Sequence, residues 1–369
     1  MSVLSAADRL HEATRHGTYS GSAPMTHPPQ LVLGVDTHKD VHVAVLLDQL
    51  GRHLATASFG TTDAANRDLM AWTLRHGQVT TAGVEGTGSY GYRLAQHLAD
   101  QGISVVEVNR PDRARRRRKG KNDPVDAEAA ARAVLAGDAH AVPKDRNGAV
   151  GQLRALMVAR RSAIKARTQA TNQLRALLVD GDDELRRRLQ PLRKAHLAHA
   201  CTQLAPAVGL QLALASLGRR WLALNDEITS LDAAITKALR RTAPRLLERH
   251  SVGVQTAAQL LVTAGDNPDR LHSEAAFAAV CGASPVEASS GKTIRHRLNR
   301  GGDRAANSAL WTIANNRLMH DPRSRAYAAK RTAMGNSRKE VLRCLKRAIA
   351  RELYPLILDA LTPTAPSLT

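Results

Sequence analysis

Four acidic residues and a serine-glycine pair carry the chemistry that this sequence offers. Asp36, Glu85, Asp123 and Asp126 stand in that order, in a chain of 369 residues with a net charge of +20. Each falls where a strand pattern ends or a helix pattern begins. Two divalent ions roughly 3.5–4 Å apart clamp a scissile phosphate by stabilising its attacking and leaving oxygens. Mg²⁺ takes its ligands from a few carboxylates plus water and substrate. Carboxylates gathered at strand ends in a basic chain therefore point to a divalent-metal site working on nucleic acid. Asp123 and Asp126 are three apart, which puts both on one face of a helix start.

Plainer roles exist for each acid. Asp123 before Pro124 is a natural N-cap, and Asp126 in the first turn favours the helix dipole. Glu85 before Gly86-Thr87-Gly88 would serve as a turn acid, and Asp36 would cap a hairpin turn. All four in this order favour a shared site. His38, Asp40 and His42 fall across the expected turn and read as exposed turn residues rather than transition-metal ligands.

The serine pair, Ser289-Ser290 before Gly291, lies in a flexible and basic stretch. A serine there that attacks phosphorus forms a phosphoserine linkage. That linkage keeps the energy of the phosphodiester bond, so rejoining needs no ATP. A free serine is a weak nucleophile and needs a base or a metal. No obvious general base sits beside Ser290 except His296, so the metal site is the better activator. The residues alone leave Ser289 and Ser290 both open.

Cations form two blocks, one before the Asp123 helix and one beside the serines. The first holds Arg113, Arg115, Arg116, Arg117, Arg118, Lys119 and Lys121, and the second Lys292, Arg295, Arg297, Arg300 and Arg304. Both read as contacts to a phosphate backbone, where counterion release favours binding at modest salt.

The elements that must position these residues follow from periodicity. Leu31–Asp36, Val41–Leu47 and His53–Phe59 read as three strands, and Thr62–His76 as a helix capped by Thr62 or Asp63. A strand over Thr80–Glu85, a helix over Tyr90–Gln101, a strand over Ile103–Val108 and a helix from Asp123 follow. That order is the order of a ribonuclease H-like α/β fold. Residues 1–29 are polar and expected to be disordered. From Val150 the pattern becomes helical. Leu156, Ala163, Ala170 and Leu177 recur every seven residues, and Leu214–Leu239 gives a second amphipathic stretch. A charged hinge over Asp180–Pro206 separates them. The expected layout is a catalytic domain over 30–145, a helical or coiled-coil middle over 146–244, and a helical C-terminal domain over 245–369. Gly301-Gly302-Asp303 reads as a breaker and cap before another helix.

Composition narrows the partners. No apolar run approaches the roughly 20 residues of a spanning helix, so a membrane is not expected. Aromatic residues are only 3% of the chain, which argues against base-stacking platforms and for phosphate contacts. Cys201, Cys281 and Cys344 lack metal-ligand spacing and read as reduced thiols of a cytoplasmic protein.

Gly34-Val35-Asp36-Thr37-His38-Lys39, Val84 to Tyr90, Lys121-Asn122-Asp123-Pro124-Val125-Asp126-Ala127 and Ser290-Gly291-Lys292 together resemble the motifs of the DEDD transposases of the insertion-sequence-110 family. The resemblance covers residues 31–345. Asn122 stands where that family usually has threonine. The resemblance implies a recombinase with a resolvase-like N-terminal domain, a coiled-coil middle and a C-terminal transposase domain. It implies that Asp36, Glu85, Asp123 and Asp126 hold Mg²⁺ and that Ser290, directly before glycine, is the nucleophile. It also implies donor and target duplex DNA as substrates, a structured guide RNA, and a dimer or tetramer whose sites combine the acids of one subunit with the serine of another. Two rival readings stand beside it. One is a metal-dependent nuclease that hydrolyses DNA junctions with the serine idle, and the other a basic architectural protein whose acids only cap helices.

Overall fold

The computed structural model describes residues 30–108, 122–205, 209–289, 291 and 296–362. They belong to two compact units, Met1–His140 and Ala141–Thr369. The expected tail over residues 1–29 lies outside the described residues.

The first unit runs β1 (Gln30–Thr37), β2 (Val41–Asp48), β3 (His53–Gly60), α1 (Asp63–Leu74), β4 (Gln78–Glu85), α2 (Tyr92–Asp100), β5 (Ser104–Val108) and α3 (Asp123–Leu135). This is the element order read from the sequence. The strands form one mixed sheet in the order β3-β2-β1-β4-β5, with β1 antiparallel to β2 and parallel to β4. The central strand β1 is apolar at almost every position because both its faces are covered. On one face Leu31, Leu33 and Val35 pack with Leu69 and Trp72 of α1 and with Leu94 and Leu98 of α2. On the other, Val32, Val43, Val45 and Leu47 meet Ala127 and Ala131 of α3.

Helix α3 sits very close to the sheet, and two glycines allow it. Gly34 and Gly83 are register partners on β1 and β4. A Cβ at Gly34 would lie 2.0 Å from the Ala127 carbonyl oxygen, and one at Gly83 would lie 2.6 Å from that of Ala130. The Ala-rich face of α3 is the matching half of this contact.

The second unit contains α4 (Ala149–Val179), α5 (Asp183–Leu189), α6 (Ala195–Thr202), α7 (Leu210–Thr242), α8 (Pro244–Leu247), α9 (Val254–Ala264), α10 (Glu274–Val280), a short hairpin β6 (Val286–Glu287) and β7 (His296–Arg297), α11 (Arg304–His320), α12 (Pro322–Ala333) and α13 (Arg338–Leu361). Helices α4 and α7 pack on each other. Ala163 and Ala170 of the seven-residue repeat are buried, the Trp221 indole donates to Thr171 Oγ1 at 2.9 Å, and Asp232 accepts from Arg160 and from Gln255. The expected hinge over residues 180–206 contains two short helices instead. Asp182 caps α5 by accepting from the Leu185 amide at 2.7 Å, and Leu185, Leu189 and Leu197 bury themselves with Leu174 and Leu214. Spaced leucines among charges were enough to build a small core there.

The roots of α4 and α7 share the core of the C-terminal helices: Val150, Leu153, Ile235 and Leu239 pack in one cluster with Phe277, Ile313 and Leu353. Asp266 fixes the start of α4, because its carboxylate accepts from the amides of Gly148, Val150 and Gly151. A residue over a hundred positions away thus satisfies donors that a helix start leaves without partners. Asp303 is the N-cap of α11, as expected, and accepts from the amides of Ala305 and Ala306.

Candidate metal and nucleic-acid site

The close approach of α3 decides where the acids go. Side chains two apart on a strand share a face, so Asp36 lies on the face of Gly34, and Glu85 on that of Gly83. Both acids therefore stand on the α3 side of the sheet, at the C-terminal ends of adjacent parallel strands. The start of α3 lies over this edge and brings Asp123 and Asp126.

Asp36 is 7% exposed and Asp126 3% exposed. The His38 imidazole bridges two of the acids, with Nε2 3.3 Å from Asp36 Oδ2 and 3.4 Å from Asp123 Oδ1. Ligand atoms of Asp36, His38 and Asp123 come within 4.8 Å of one another. Asp126 and Glu85 lie outside that group of three, although the charge of Asp126 is felt at Asp36. Burial pushes the Asp36 carboxyl above its ordinary range, the His38 imidazole draws it down, and the Asp126 and Asp123 carboxylates push it up again.

Thr37 ties the two strand ends together. Its Oγ1 donates to the Glu85 carbonyl oxygen at 2.7 Å. The loop after Glu85 turns at Gly86, whose φ of 75° favours glycine, and folds back through hydrogen bonds from Ser89 and Gly91 to the Gly86 carbonyl. Thr37 and this loop fix the backbone from which Glu85 projects.

Two readings from the sequence change. Asp123 is not the N-cap: Asn122 holds that position, without a side-chain cap hydrogen bond, and Asp123 is the first helical residue. Its carboxylate faces His38 instead of a backbone amide. His38 is no idle turn residue, since it sits between two acids, and His42 lies inside β2, buried, where desolvation lowers its pKa. The signal for His38 was its place two residues after Asp36, across a tight turn closed by its own amide on the Val41 carbonyl.

The donor set suits a hard divalent cation. Asp36, Asp123 and Asp126 concentrate negative charge around the His38 imidazole, and carboxylate oxygens are the ligands that such an ion prefers. An ion among them would relieve the repulsion that raises the Asp36 carboxyl.

Of the basic residues, Arg297 lies exposed on β7, Arg300 is exposed after it, and Arg304 opens α11. Arg113, Arg115, Arg116, Arg117, Arg118, Lys119 and Lys121 lie outside the described residues, as do Ser290, Lys292 and Arg295. In the chain, Ser290 falls between β6 and β7. No helix among the described residues is long and apolar enough to cross a membrane.

Comparison with known proteins gives two family matches. Residues 33–181 match a model of the DEDD type described as "Transposase", and residues 243–329 match one described as "Transposase IS116/IS110/IS902 family". All four acids fall within the first match, and Ser290 within the second. A similar protein is the "Insertion element IS110 uncharacterized 43.6 kDa protein" of Streptomyces coelicolor, 32% identical over 162 residues. That match takes in 43% of this chain and 40% of the relative, so the chain spans less than half the length of that relative.

Proposed function

The chain belongs to the insertion-sequence-110 family of transposases, and from that membership we propose that it cuts and rejoins DNA strands to move a mobile element. The observation that carries this reading is the meeting of Asp36 and Asp123 at one edge of the sheet, with Asp126 close enough to act on Asp36. The sheet order and the flanking helices support a ribonuclease H-like catalytic domain. Asp36, Asp123, Asp126 and Glu85 would hold Mg²⁺. Bound there, the ion would offset charge on the scissile phosphate and make an attacking hydroxyl more acidic.

Ser290 is the proposed nucleophile. Its Oγ forms a bond to phosphorus as the bond from phosphorus to a deoxyribose oxygen breaks, and the leaving oxygen takes up a proton. A hydroxyl of another strand then attacks the phosphoserine and releases the serine. The cations on each side, Arg297, Arg300 and Arg304 among them, would hold the strands by their phosphates. The finer features, namely guidance by a structured RNA, a dimer or tetramer bringing donor and target DNA together, and a cytoplasmic setting, rest on the family resemblance.

The experiment compares variants on a donor and target DNA pair with Mg²⁺. Asp36→Ala combined with Asp126→Ala is expected to abolish both cleavage and strand exchange. Ser290→Ala is expected to abolish the covalent protein–DNA adduct and strand exchange. Strand exchange that survives in Ser290→Ala removes the serine from the mechanism, and cleavage that survives the loss of both acids removes the metal site.

A further inference from the structure

The second unit contains a cavity of about 620 Å³ beneath the β6–β7 hairpin, between that hairpin and helices α12 and α13. Six cations, Arg297, Arg331, Arg343, Lys346, Arg347 and Arg351, line it against one carboxylate, Glu340. We propose that this cavity is a binding site for a backbone phosphate of nucleic acid, with Lys346 and Arg331 as its anion-holding groups. The assignment deepens the proposed action on DNA, and rests on that reading for the source of the phosphate.

The argument comes from which cations are already neutralised. Arg347 and Arg351 both pair with Glu274, at 2.9 and 3.0 Å. Glu340 is committed to the cap of α13, where it accepts from the Ser337 amide and hydroxyl, and it lies 3.7 Å from Arg343. Lys346 and Arg331 differ. Among the described residues no carboxylate lies within ion-pair distance of either.

Lys346 is 5% exposed, and its Nζ donates to Asn307 Oδ1 at 2.9 Å. Asn307 is held in that orientation because its own amide donates to the carbonyls of Cys281 and Gly282. A neutral oxygen thus meets one of the three donors of a buried ammonium. Arg331 has a buried Nε without a hydrogen-bond partner among the described residues, and its Nη2 makes only long contacts to Asn336 and Cys344.

A buried ammonium and a half-buried guanidinium with no counter-ion among the described residues are costly, and an anion entering the cavity would lower that cost. Phosphate oxygens suit both groups, a guanidinium through its fork and an ammonium as a point charge. His296 and Arg297 of β7 line the same cavity, so the hairpin that carries Ser290 in its connection also forms the rim.

The test measures binding of the full chain to a short single-stranded oligonucleotide, as DNA and as RNA of equal sequence, across a salt series with EDTA present. Without divalent ions the acidic site does not contribute, so a failure here is separate from a failure of the metal site. Lys346→Met and Arg331→Met are each expected to weaken binding about tenfold in both arms. Each should also reduce the slope of log affinity against log salt by roughly 0.7. Arg188→Met, at an exposed position on α5, should change neither. Should Lys346→Met fail to fold, Arg331→Met carries the test alone. Unchanged affinity and slope in a folded variant overturn the proposal. A loss confined to the RNA arm overturns the assignment to a shared backbone phosphate. If inorganic pyrophosphate raises the melting temperature while neither oligonucleotide binds, the site takes a free phosphate and the nucleic-acid assignment fails.

Discussion

Asp36 shows how a site can work against the stability of the domain that holds it. Burial raises its carboxyl, and Asp126 and Asp123 add to that, with His38 opposing them. A carboxyl with a folded pKa above its unfolded value holds its proton more tightly in the folded state. Stability is therefore intact below the unfolded value near 3.8, falls as pH rises towards the folded value, and stays reduced above it. Asp36→Asn removes this charge with little change of shape. Without divalent cations the variant is expected to melt higher than the parent at neutral pH, with the gap closing towards pH 3.8. Added Mg²⁺ should raise the melting temperature of the parent and leave that of the variant in place, since only the parent binds the ion. Scanning calorimetry across pH checks both. A variant that melts lower at neutral pH, or one that Mg²⁺ stabilises as much as the parent, would show that Asp36 is a structural acid.

At the scale of elements, the meeting of acids depends on how closely α3 approaches β1 and β4. Gly34 and Gly83 are the contact, and Gly34→Ala puts a methyl group 2.0 Å from the Ala127 carbonyl oxygen. Neither backbone can yield without moving the helix whose first turn carries Asp123 and Asp126. Overpacking of this kind typically costs about 1–3 kcal/mol. Gly34→Ala is expected to lower stability by that amount in denaturant unfolding, and to lose cleavage beyond what the fraction unfolded explains. Full cleavage by a folded Gly34→Ala protein would separate helix placement from the site. Much of this level was legible in the sequence. Strand patterns ended on Asp36 and Glu85, Thr62 was a candidate cap and does accept from the Ala65 amide, and Asp303 followed two glycines. Other features were not, because they depend on contacts between distant residues. Asp266 capping α4 and the hydrogen bond from Thr37 to Glu85 have no periodic or local signal. The leucines over 185–197 were masked by the charges around them.

For the whole molecule, the acids belong to the first unit and Ser290 to the second, and each unit has its own core. The family resemblance implies that one catalytic centre draws its acids and its serine from different copies of the chain. Mixing two inactive variants distinguishes the arrangements. Let one copy carry Asp36→Ala and its partner Ser290→Ala. If each centre were built within one copy, both centres of the mixed assembly would carry one defect, and strand exchange would stay absent. If each centre takes acids from one copy and serine from the other, one centre collects both defects and the other collects none. Strand exchange is therefore expected to return on mixing, although neither variant has it alone. Covalent adducts in the mixture should form only on the chains that keep Ser290, which differently sized tags on the two variants would reveal. A mixture as inactive as its components, with heteromers demonstrated by pull-down between the tags, would place the whole centre within a single chain.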